Sequence, residues 1–147
     1  MEEIILAFIA SLCPGIMYNA SRKKLIWVGL SGMLGWITYA GILEITGNVV
    51  FSSFLGAIVV GLYSESIARL VKAPAMVFSI PGIFPLVPGI AIYNSIQYVA
   101  ENKLLEAANT GIQAITSAAA IAFGILLTSA SFRLSKKMKR NKKPGCI

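Results

Sequence analysis

Charged residues divide the chain into five apolar stretches that carry no charge of their own. An apolar helix needs about 20 residues to cross about 30 Å of hydrocarbon, so stretches of that length between charges predict membrane spans. The first runs from Ile4 to Ala20 and stops at Arg22, Lys23 and Lys24; the second, Leu25 to Leu43, ends at Glu44; the third, Asn48 to Ser64, ends at Glu65. After ESIARLVK comes an uncharged run from Ala73 to Val99, then ENKLLE, then a last run from Ala107 to Phe132. The pattern predicts an all-α integral membrane protein of about five transmembrane helices (4–20, 25–43, 48–64, 73–99, 107–132) and a basic tail over 133–147. The first and third spans are short, so they require tilt or polar ends.

Composition agrees: 56% of the residues are hydrophobic and 13% charged, where soluble domains carry about a quarter charged. With no His, two Cys and six carboxylates, a Ser-His-Asp triad, a His-ligated metal and a Cys-rich zinc site are excluded within the chain. No enzyme activity is expected, because no nucleophile and base are paired, and no cofactor or metal is implied. Cys13, in an apolar stretch, and Cys146, in the basic tail, read as free thiols.

Charge distribution sets the expected orientation. Five crossings place Arg22, Lys23, Lys24, Arg69, Lys72, Arg133 and the tail lysines and Arg140 on one side; the other holds Lys103 with Glu2, Glu3, Glu44, Glu101 and Glu106. Cytoplasmic loops are enriched in Lys and Arg, so the N-terminus is expected outside and the C-terminus in the cytoplasm. The acids precede the first apolar run and the basic triplet follows it, the reverse of a cleavable signal. The tail has no interleaved aromatics and follows a span directly, so it fits anionic lipid head groups rather than nucleic acid. Its Cys146 lies one place from the end, where prenylation requires four.

Small residues at spacings of three to five, namely Gly29, Gly32 and Gly35, then Ser52, Gly56 and Gly61, then Ala114, Ala118, Ala122 and Gly124, predict close helix contacts. The fourth stretch differs, carrying Pro74, Pro81, Pro85 and Pro88 with Gly82 and Gly89. Interior prolines remove backbone donors and clash one turn back, which predicts a discontinuous helix: one half ending near Ile80, a non-helical link through the prolines, and a second half starting near Pro88. Such a break is tolerated at membrane depth where it is buried in protein or lines a water-filled cavity, and the N-terminus of the second half suits a carboxylate. Pro14-Gly15 in the first span reads as an ordinary kink. Polar residues flank the breaks: Asn19, then Tyr93, Asn94 and Gln97, then Asn109, Gln113, Thr116 and Ser117. Asn109, Gln113 and Thr116 share one helical face, suited to a small polar substrate or to plain inter-helical hydrogen bonds. No ionisable residue is expected inside a span core, so a proton-driven carrier would need one from another chain.

The run IPGIFPLVPGIAIYNSI, from Ile80 to Ile96, resembles the signature of the threonine/serine exporter family. The whole chain is similar to the family's small membrane subunit, the counterpart of the second half of the fused exporters. The resemblance implies a bacterial inner-membrane protein that works with a larger membrane subunit bearing a cytosolic domain and exports threonine and serine or, in some pairs, a dicarboxylate such as succinate. By position the motif falls on Pro81, Pro85, Pro88, Gly89 and Tyr93; with Gly82 and Asn94 these form the expected substrate path, and Asn109, Gln113 and Thr116 a secondary polar face. A non-transporting assembly subunit, whose prolines only shape the fold, is the alternative.

Overall fold

The computed structural model describes residues 2–18 and 22–141, with side chains over 2–18 and 24–134. All its regular structure is helical: α1 (Glu2–Met17), α2 (Arg22–Thr46), α3 (Val49–Leu70), α4 (Met76–Ile83), a 3₁₀ turn (Phe84–Leu86), α5 (Gly89–Ala100) and α6 (Leu104–Asn141). Lys24–Thr46, Val49–Leu70 and Leu104–Leu134 are each long and apolar enough to cross a bilayer. Met76–Leu86 and Gly89–Ala100, bent by 48° at the break, are together long and apolar enough for a broken span or a re-entrant loop, which makes three spans, or four if the bent pair is one. The protein is an all-α membrane protein.

Helix lengths differ from the charge-bounded stretches. Helix α3 runs past Glu65 to Leu70, giving 22 residues in place of a short span. A charge at a helix end ends the apolar run but not the backbone hydrogen-bond ladder. Helix α6 likewise continues past Phe132 to Asn141, so the basic segment begins as helix; Asn19, Cys146 and the end of the tail lie outside the described residues. Helix α1 has 16 residues, a rise of about 24 Å, which is less than the thickness expected of a fifth span. It continues through Pro14, and Gly15 is buried against Val28.

Turn chemistry is local. Gly47, at φ +62°, closes α2, and Asn48 Oδ1 caps α3 by accepting from Val50 N and Phe51 N at 3.1 and 3.2 Å. Lys72 and Asn102 take left-handed backbone after α3 and α5, and the next amides return to Ala68 O and Tyr98 O at 3.0 and 2.9 Å. These 6→1 bonds are Schellman closures.

Packing relies on small residues. Helix α1 lies on α2, where a methyl on Gly29 or Gly32 would strike Phe8 or Ser11. Helices α3 and α6 meet through Gly61, against Thr128, and Gly124, whose Cβ would lie 2.9 Å from Phe54 O. The buried line of α6 is Ala107, Ala114, Ser117, Ile121, Gly124 and Thr128, at steps of seven, three and four, the seam expected when two helices cross at a shallow angle. Ala118 and Ala122, expected on that contact face, are exposed because they lie around the helix from the seam.

Hydroxyls inside the helices mostly bond their own backbone: Ser11 to Ala7 O, Ser52 to Asn48 O, Ser117 to Gln113 O and Thr128 to Gly124 O, each at 2.8 Å. Among the described residues, three side-chain hydrogen bonds join different helices: Ser31 to Phe78 O (3.0 Å), Ser95 to Ala107 O (2.9 Å) and Arg69 to Phe132 O (3.4 Å).

Candidate functional site

The break is set by two prolines, Pro85 and Pro88. Pro85 has no N–H to continue the ladder to Pro81 O, and Phe84 N donates there instead, tightening the chain into the 3₁₀ turn. Val87, forced out of helical space by the proline that follows it, is extended at φ −61° and ψ 129°. Pro88 then precedes α5 without a side-chain cap. The first half therefore ends at Ile83 rather than near Ile80. Pro81 lies inside α4, buried, at the loss of one helical hydrogen bond.

A cavity of about 360 Å³ opens at the break. The chain around the break supplies Pro85 through Ala91, α5 adds Asn94, α6 adds Thr110 and Gln113, and α2 and α3 close it with Trp36, Tyr39, Val49 and Ser53. None of these side chains is charged. Gly89 N donates to Val87 O at 2.7 Å and Ile92 N to Pro88 O at 3.1 Å; Ile90 and Ala91, which line the cavity, lie in the first turn of α5, where backbone N–H groups have no carbonyl one turn back within the helix. The positive end of the α5 dipole adds to them. Trp36 Nε1 is buried without a partner, and its ring lies 5.4 Å from that of Tyr39. The site can thus offer an anion backbone donors and place carboxamides and a hydroxyl around a neutral polar group, without a fixed counter-charge.

Of the residues expected on the path, Pro85, Pro88, Gly89 and Asn94 come together with Gln113 on this cavity. Pro81 and Gly82 do not: both are buried in packing, and a methyl on Gly82 would lie 2.5 Å from Ser31 Oγ and 2.9 Å from Val60 Cγ1. Tyr93 points away, 67% exposed. On α6, Asn109 and Thr116 are exposed outside the lining, and Thr116 Oγ1 bonds Ile112 O at 2.8 Å. Sequence reasoning missed Trp36, Tyr39, Ser53 and Thr110, whose roles arise from packing of distant helices. An aromatic pair at i and i+3 beside the glycine stripe of α2 was the only signal for the first two.

Glu3 was expected beyond the span end. The structure places it with Leu6, Ala7 and Ala10 around a cavity of about 270 Å³ that also touches Trp36 and Pro85.

Below the break, Ala57, Leu86 and Ile121 form a buried apolar cluster, with Ile83 and Ile125 packed against it. Leu86 borders the first cavity, while Ile83 and Ile125 border a second, larger one. Long apolar helices thus surround a broken segment whose cavity sets carboxamides and hydroxyls in a largely apolar lining. The family model for "Threonine/Serine exporter, ThrE" matches residues 3–131, the broken segment included. The chain belongs to the threonine/serine exporter family, a family of transporters. No solved structure matches it.

Proposed function

We propose that this chain is the small subunit of a two-component secondary exporter for threonine, serine or related small carboxylates, and that the cavity at the start of α5 is part of its path. It sits in the bacterial inner membrane with its N-terminus outside and C-terminus in the cytoplasm, beside a larger membrane subunit with a cytosolic domain, and its basic tail meets anionic lipid. The observation that carries the site is the first turn of α5, at Ile90 and Ala91, lining a cavity that also holds Asn94 and Gln113. A carboxylate fits the amides of that turn, and the amino or hydroxyl groups of the solute fit the carboxamides.

The test is efflux from cells preloaded with threonine, serine and succinate, comparing the host with a deletion of this chain that leaves any partner gene intact. Faster loss of one solute in the host establishes export and identifies the substrate. A methyl at Gly89 meets no atom within 4 Å, so Gly89→Leu fills the cavity without disturbing the bundle; it and Asn94→Leu are expected to lower efflux about tenfold while insertion stays normal, a loss equivalent to about 1.4 kcal/mol. Undiminished efflux from both variants removes the site assignment. A partner that transports at full rate alone leaves this chain an assembly role.

A further inference from the structure

The second cavity has a volume of about 700 Å³ and lies between α3, α4 and α6, on the far side of Ile83 and Ile125 from the first. Its lining includes Glu65, Arg69 and Arg133, with Ser79 and Ser129. Among the described residues the one ion pair joins Lys103 and Glu101, so these three charges share a cavity without pairing. Arg69 is held in place: its guanidinium stacks 4.6 Å over the Phe132 ring and one nitrogen donates to Phe132 O at 3.4 Å. The remaining guanidinium donors are free to meet a planar carboxylate side-on. Glu65 is the single acid at an otherwise basic end of the molecule, and the charge asymmetry that orients membrane proteins gives it no role.

Two guanidinium groups and one carboxylate around a cavity complement a molecule carrying one carboxylate and one ammonium. We propose that this inner cavity is a loading site for an α-amino-acid zwitterion, with Arg69 and Arg133 holding the carboxylate and Glu65 the ammonium. The proposal rests on the exporter reading and adds a selection step to it. A dicarboxylate brings no cation to Glu65 and sets its second carboxylate against it, so the cavity favours amino acids over diacids before they reach the apolar cluster. The first cavity has no charged side chain and makes no such distinction.

Everted membrane vesicles, which expose the cytoplasmic face, from cells making the full chain with its partner provide the test. Uptake of labelled threonine is measured with unlabelled threonine or 3-hydroxybutyrate, which lacks the ammonium, as competitor. In the unaltered protein 3-hydroxybutyrate is expected to compete about tenfold more weakly than threonine, and Glu65→Gln to raise the threonine KM about tenfold and erase that preference, with the maximal rate within about twofold. Glu65→Asp is expected to keep the preference, and Arg133→Gln to raise the KM of both compounds. An unchanged KM and preference in Glu65→Gln overturns the loading site while leaving export intact. Vesicles of the unaltered protein that take up neither threonine, serine nor succinate overturn the exporter reading itself. If Glu65→Gln fails to insert, maleimide labelling at Ser129→Cys, in a chain with Cys13→Ser and Cys146→Ser, decides the matter: protection by threonine but not by 3-hydroxybutyrate supports the site, and indifference to threonine overturns it.

Discussion

Gly82 is fixed in place by its neighbours rather than by its backbone angles. Ser31 Oγ, shared between Val28 O at 2.7 Å and Phe78 O at 3.0 Å, occupies the space where a side chain would start. Gly82→Ala is therefore expected to cost about 1–3 kcal/mol, read as a lower thermal midpoint in detergent, and Ser31→Gly in the same chain to restore most of the loss. Asn102 shows the opposite case, a residue paying for left-handed backbone at φ +59°. Asn102→Gly is expected to stabilise by up to about 1 kcal/mol, seen as a raised midpoint. In the same loop the Lys103 ammonium, 2.9 Å from Glu101, holds that carboxyl below its ordinary range. The pair's small stabilising contribution is complete above the unfolded carboxyl's pKa and fades as the pH falls through the lowered folded value. The glycines and prolines of the fourth stretch were legible as a break, but sorting them into packing and lining residues needed the positions of Ser31 and Val60, fifty-one and twenty-two residues before Gly82 along the chain.

At the scale of elements, the α3 and α6 pair is the contact most sensitive to side-chain size. Gly124 faces the backbone carbonyl of Phe54, which cannot swing aside as a side chain can, so Gly124→Val is expected to push the helices apart and cost about 2 kcal/mol or more. Proteolysis of membranes carrying the variant is expected to cut the chain that the unaltered protein resists. Element existence was readable from charge-free length alone, and the proline-driven break from Pro85 and Pro88. Helix ends were not, since Glu65 and Arg133 interrupt hydropathy without interrupting hydrogen bonding. Which alanines of α6 face α3 was also hidden, because a run rich in small residues offers several stripes at helical spacing, and the partner helix decides among them.

For the whole molecule, the contact of Arg69 with Phe132 sets the end of α3 beside the basic end of α6, and Val28, Ile67 and Phe78 cluster near it. Glu65 and Arg69 of α3 and Arg133 of α6, far apart along the sequence, thus lie together at one end of the bundle. With that end in the cytoplasm, a membrane-impermeant maleimide is expected to label Lys103→Cys in intact cells and to leave Lys72→Cys unlabelled until the membrane is opened; the reverse pattern inverts the proposed orientation. The two cavities and the cluster between them were not legible, because they depend on which helices leave gaps. The hydroxyls that bond their own helix have a further consequence for motion. Among the described residues each helix is close to saturated in itself, apart from buried Trp36, Tyr63 and Ser64, and α4 is tied to the rest by the single side-chain bond from Ser31. Sliding α4 past α2 and α3 strands almost no donor in a solvent that would offer no replacement. Resistance to such a slide is geometric, a matter of methyl groups lifting out of glycine notches, so smoothing or filling one notch is the way to change how fast this protein rearranges.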